Sequence, residues 1–186
     1  MVLAMEEPSM TGDLRGTAFH EAGHSVVGLV LGFELDYVTI GPDSKGVLGL
    51  SWFAEVDFFN ESTGAPVASP TTFERAIKKT LAGVLSQTRA ASVKSDVHGS
   101  EDRQHVEILL VGIPGLRAEK EARLASLTAE TETLVAFCWP GIETLAALLL
   151  ERSRLSGTEV ETELSTFLQS TRKTISSGST EGAGTP

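Results

Sequence analysis

His20-Glu21-Ala22-Gly23-His24 is the part of the chain whose residue types and spacing could do chemistry. On a helix, residues four apart lie on one face, so both imidazoles can point at a single ion. Zinc suits such a pair, because it accepts imidazole nitrogen and leaves room for an oxygen ligand and a water. Glu21 directly follows the first histidine, so it flanks the ion without ligating it. From there it can take a proton from water on the ion, the general-base role of metal-assisted hydrolysis. The surrounding run TAFHEAGHSVVGLVL (Thr17 to Leu31) is apolar on nearly every side. A helix of that kind is buried, and a buried polar cluster is costly unless something binds it. Gly23 and Gly28 predict close approach by another element.

The elements that must position this helix can be read in order. Thr11 or Asp13 can cap it, and Gly32 should end it. Leu35–Ile40 and Val47–Phe53, joined by GPDSKG, read as a β-hairpin covering the metal helix or offering an edge strand to an extended peptide. Residues 54–70 read as a long acidic loop anchored by Phe58 and Phe59. A capping box at Thr71 and Glu74 should open a helix with Phe73, Ile77, Leu81, Val84 and Leu85 as its core stripe.

Ser100 is a candidate cap for the next helix, which places Asp102 in its first turn, on the face of Val106 and Leu109. Spacing alone leaves the third metal ligand open among Asp102, His98, Glu101 and His105. Leu116–Trp139 should be helical, with Lys120, Leu124, Leu127, Thr131, Leu134 and Cys138 on one stripe. Pro140 should restart the chain, and a capping box at Thr158 and Glu161 should open a last helix. Residues 1–12 read as a flexible N-terminus and 171–186 as a disordered polar tail, leaving 13–170 as the folded domain.

Composition narrows the function classes. A chain of 186 residues can bury a full core. Its net charge of −10 disfavours nucleic-acid and anionic-membrane surfaces. A single cysteine, Cys138, excludes an internal disulfide and fits a reducing compartment. No secretory signal is read at the N-terminus, and no membrane span is expected, so the sequence points to the cytoplasm.

Taken together, the segments resemble the peptidase domain of the FtsH family, membrane-anchored AAA+ zinc proteases. TAFHEAGHSVVGLVLG is similar to its metal helix. Val38-Thr39-Ile40 with Val47 to Phe53 is similar to its hairpin, and Leu81-Ala82-Gly83 to its second core helix. Gly99 to His105 resembles the stretch that supplies the third zinc ligand, and IETLAALLLERSRLSGTEV the C-terminal pattern. The resemblance covers about residues 13 to 168. It implies a mainly α, helical zincin-like fold with a small β-hairpin or sheet packed on the metal helix. It also implies Zn2+ held by His20, His24 and Asp102, with Glu21 as catalytic base and an unfolded or extended polypeptide as substrate.

Two departures stand out. The chain has no GxxxxGK[ST] phosphate loop, so it reads as a stand-alone peptidase domain that depends on a separate AAA+ ATPase to open folded substrates. Val84-Leu85-Ser86-Gln87 replaces the family's Arg-Ala-Ala-Glu-like run, which places the chain on a divergent branch and leaves homo-oligomer formation open. The alternative from another class is a non-catalytic zinc-containing binding or regulatory module. Intact Glu21 argues against that alternative, and the missing ATPase argues for it.

Overall fold

A computed structural model describes residues 14–42, 48–91 and 99–178 of the chain. It is mainly helical, with one small antiparallel sheet: α1 (Leu14–Val30), β1 (Leu35–Pro42), β2 (Leu48–Phe53), α2 (Pro70–Ala91), α3 (Gly99–Leu110), α4 (Arg117–Arg152), β3 (Arg154–Ser156), α5 (Gly157–Glu163) and α6 (Ser165–Gly178). Thr11, Asp13, His98, the GPDSKG residues from Asp43 on, and the side chain of Ser100 lie outside what is described.

The central helix α1 is buried along almost its whole length, from Gly16 to Leu29 with only His24 partly open. It stops where the sequence predicts, at Gly32, whose φ of +83° is a backbone conformation that side chains with a Cβ resist. The chain then turns into β1, which pairs antiparallel with β2 as expected. A third strand, β3, pairs with β1 on its other side, giving the order β2-β1-β3. No alternation over three residues could have announced β3; it exists because Leu155 is buried against the core opposite Val38.

Two apolar clusters flank α1. One joins Val26, Val27 and Leu29 to Val38 and to Ile142, Leu145, Leu149, Leu155 and Val160. The other joins Phe33, Phe73, Ile77, Val106, Leu109 and Leu127. Each fully buried side chain of this kind contributes about 1.5–3 kcal/mol. Phe58 and Phe59 both pack on Phe73 at 5.2 Å, which makes them the anchors of the 54–70 loop.

Several boundaries differ from the sequence reading. The helix containing Trp139 does not restart at Pro140; α4 runs through it to Arg152. Pro140 sits on the exposed face, while Cys138, Gly141, Ile142 and Leu145 around it are buried, so core packing outweighs the lost hydrogen bond. The cap of α2 is Ser69, whose Oγ accepts from Thr72 N at 3.1 Å, and not Thr71. Glu74 is thereby released to bind Arg123 through two hydrogen bonds of 2.6 and 2.7 Å, tying α2 to α4. The last capping box is Ser156 with Glu159, two residues before the Thr158–Glu161 pair. The helix α6 continues to Gly178 with Thr171 buried, so the folded part extends beyond residue 170. By length and apolar composition α4 also passes the test for a bilayer-crossing helix, which the sequence reading did not expect of any stretch. Here it carries the shared core.

Candidate metal centre

Two elements bring the three residues together. His20 and His24 project from one face of α1, and Asp102 enters from the first turn of α3. His20 Nε2 lies 3.0 Å from His24 Nε2. Asp102 Oδ2 lies 3.1 Å from the former and 3.4 Å from the latter. Bonds of about 2.0–2.1 Å meeting at tetrahedral angles set ligand atoms about 3.3 Å apart, so this triangle has the size of one face of a zinc tetrahedron. The buried group of His20, His24 and Asp102 could hold a metal ion.

The hydrogen bonds behind the imidazoles strengthen the fit. His24 Nδ1 donates to the Lys79 carbonyl at 2.9 Å, an acceptor whose identity is not in question. His20 Nδ1 lies 3.2 Å from Gln87 Oε1 and donates to it. With both Nδ1 protons committed, both Nε2 lone pairs face Asp102 Oδ2, a buried oxygen with no partner besides these two nitrogens among the described residues. Three acceptors at this separation repel one another unless a cation sits between them.

In the metal-free chain a proton must take that place. Burial works to lower the pKa of His24. The hydrogen bond and charge of Asp102, the charge of Glu21 and the Lys79 carbonyl outweigh it, so the pKa is raised. Burial likewise works to raise Asp102, yet hydrogen bonds from His20 and His24 and the charges of both hold its carboxyl far below the usual range.

Of the other sequence candidates, His98 lies outside the described residues, and Glu101 and His105 fall outside the triangle. Glu101 is exposed. His105 sits close enough for burial, then the charges of Lys79 and His24, to lower its pKa against the pull of Asp102, but it contributes no ligand atom to the cluster.

Glu21 is buried on the β2 side of α1. Its Oε2 accepts a 2.7 Å hydrogen bond from Ser51 Oγ, which also lies 3.1 Å from the Glu21 carbonyl and 3.1 Å from Ser25 Oγ. Gly49, at φ +87°, lets β2 pass over this carboxylate. A Cβ there would lie 2.6 Å from Oε1 and 2.7 Å from Thr17 Cγ2. The inward side of β2 thus meets α1 at Glu21, then near Ser25, then at Gly28, where a Cβ would lie 2.5 Å from the Phe53 ring.

On the opposite side, α2 supplies a floor of small residues. A Cβ on Gly83 would lie 2.3 Å from His24 Nε2, and one on Gly23 would lie 2.5 Å from the Ala82 carbonyl oxygen. Both predicted close approaches of α1 glycines are therefore present. The floor is pinned from outside by Arg123, which bridges Glu74 and Glu130, and by Lys78 at 2.6 Å from Glu130. The sequence reading took α2 as core only. Its inner face of Thr80, Ala82, Gly83, Ser86 and Gln87, buried throughout, is the signal that it backs a polar site.

Compared with known protein families and with curated proteins, the chain matches none.

Proposed function

We propose that the chain is a zinc-dependent hydrolase of peptide bonds in extended or unfolded polypeptides, a helical zincin-like peptidase on a divergent FtsH-like branch. One observation carries this reading: two lone-pair nitrogens and an otherwise unpartnered carboxylate oxygen converge at 3.0–3.4 Å in a buried cluster beside a glutamate. Two imidazoles and one carboxylate are a donor set typical of catalytic zinc, and three protein ligands leave the fourth position free. Bound zinc supplies a Lewis acid that polarises the scissile carbonyl and acidifies water.

The remaining work belongs to the chain. Gln87 and the Lys79 carbonyl hold the imidazoles in the tautomer that faces inward. Ser51 fixes one carboxylate oxygen of Glu21, leaving Oε1 to accept the proton of the attacking water and pass it to the leaving amine. Burial of the cluster excludes competing water and strengthens each of these electrostatic contacts.

The test is metal analysis beside cleavage of casein by the wild type and by Glu21→Gln. We expect about one zinc per chain in both, and a ~10²–10⁴-fold loss of rate in the variant. Equal cleavage by the two proteins, or no bound zinc in either, would refute the proposal. Zinc in both with cleavage by neither points to a binding module or to a peptidase fed by a separate AAA+ ATPase, and adding such ATPases decides between those.

A further inference from the structure

We propose that Lys79 is a specificity-determining residue that receives a carboxylate of the substrate beside the metal centre. The proposal rests on the hydrolytic reading above and adds the chemical class of substrate that the site prefers.

Lys79 is placed by two contacts on α2. Its carbonyl holds His24, and its stem passes Gly28, with Cδ 3.4 Å from where a Cβ on that glycine would lie. Its ammonium then rests 4.2 Å from the centroid of the Phe53 ring and 5.1 Å from that of Phe33. Among the described residues, no carboxylate or carbonyl oxygen lies within hydrogen-bond distance of it.

Its neighbours are not so placed. Lys78 pairs with Glu130, Arg75 bonds the Leu31 carbonyl, Arg123 spans Glu74 and Glu130, and Lys120 bonds the Leu110 carbonyl. In a chain of net charge −10, a half-buried ammonium has been left with aromatic faces for company. Ring faces attract a cation without using its N–H groups, so all three donors stay available.

Position selects the role. Gly28 lies one turn of α1 beyond His24, a rise of about 6 Å over four residues. The ammonium beside it is therefore displaced from the reacting atoms. A substrate advances about 3.3 Å per residue when extended, so a carboxylate one or two residues past the scissile bond would reach it. Bound zinc would also attract a carboxylate, so the share that belongs to Lys79 is read from the difference that Lys79→Met makes. Both a free C-terminus and an acidic side chain carry that group.

Binding, not turnover, is the decisive readout. Zinc-loaded Glu21→Gln protein is titrated calorimetrically with a short peptide carrying a free C-terminal carboxylate, with its amide, and with amides bearing Glu or Gln near the C-terminus. A charge-assisted hydrogen bond predicts about 10- to 100-fold tighter binding of one carboxylate peptide than of its neutral partner. Which pair shows the preference identifies the source. Adding Lys79→Met, which keeps the stem on Phe33 and Phe53, should reduce the preference below about 2-fold, and Lys79→Arg should keep it.

Equal binding of charged and neutral peptides by the parent, or an undiminished preference in a natively folded Lys79→Met protein, overturns the proposal. If Lys79→Met does not fold, the Nζ resonance of Lys79 in the parent decides, since only the carboxylate peptide should move it. Zinc content and casein cleavage of the wild type are measured in parallel. Missing zinc defeats the hydrolytic reading, whereas full zinc and cleavage without carboxylate preference defeats the role of Lys79 alone.

Discussion

Gly83→Ala sets two effects of opposite sign against each other. Glycine inside a helix costs roughly 0.5–1 kcal/mol relative to alanine, so helix propensity predicts that the substitution stabilises α2. The structure predicts the reverse. The new methyl carbon would lie 2.3 Å from His24 Nε2 and 2.4 Å from Cε1. Ordinary contact needs about 3.4 Å or more, so the ring would have to retreat by about 1 Å. It cannot do so freely, because Nδ1 is bound to the Lys79 carbonyl and Nε2 faces His20 and Asp102. Metal bonds tolerate deviations of about 0.2 Å, so a shift five times larger removes His24 as a ligand. Overpacking adds about 1–3 kcal/mol of destabilisation. The assay is zinc stoichiometry together with thermal unfolding, with and without a chelator. Wild type should lose melting temperature on chelation; Gly83→Ala should start lower and hardly respond. In a His24→Ala background the methyl has room, so the same substitution should become stabilising by about 0.5–1 kcal/mol, a sign reversal read by the double-mutant cycle. Full zinc and an unchanged chelator response in Gly83→Ala would refute the packing argument.

The other expectations follow from the same contacts. Asp102→Ala should abolish tight zinc binding, while His105→Ala should leave the stoichiometry intact; the opposite pattern in a metal titration would exchange their roles. Gln87→Leu frees the His20 ring and should weaken zinc about 10- to 100-fold without unfolding the chain, as read by competition with a chromogenic chelator. In metal-free protein the raised pKa of His24 contributes stability that is full below its ordinary value of 6.5 and is lost as pH rises through the higher folded value. Protons and metal compete for the same nitrogens, so zinc affinity should fall as pH drops through that folded value, beginning above 6.5, and a flat profile from pH 8 to 6 would count against the assignment.

The legible parts of the sequence were those in which chemistry and periodicity coincide. His20, Glu21 and His24 were readable because helical spacing alone brings the two imidazoles together. The face shared by Asp102, Val106 and Leu109 was readable for the same reason, since Val106 and Leu109 are buried as their spacing required. Spacing could not choose Asp102 over His98, Glu101 and His105, because that choice depends on how α3 docks on α1. Gln87 and Lys79 were missed because their partners lie 67 and 55 residues away in sequence. Both helix starts were placed two residues late: Thr158 matches the capping-box pattern as well as Ser156 does, while Ser69 caps without an acid three residues on, so the pattern favoured Thr71. At Pro140 a sound local rule lost to burial of the residues on either side.

The way β1 is held has a consequence for the order in which the molecule can be completed. One of its neighbours, β2, follows almost at once, but the other, β3, comes from residues 154–156, and Gly157 lies so close to Leu35 that no side chain fits between them. Bringing such distant segments together carries the entropic cost of closing a long loop, and pairings of this kind form slowly. During synthesis, therefore, the histidines emerge first while the strand that seals the sheet beside them emerges more than a hundred residues later. A growing chain would hold its imidazoles on an α1 that lacks this support until residues 154–157 had left the ribosome. The candidate metal site would acquire its final support only once that strand was in place.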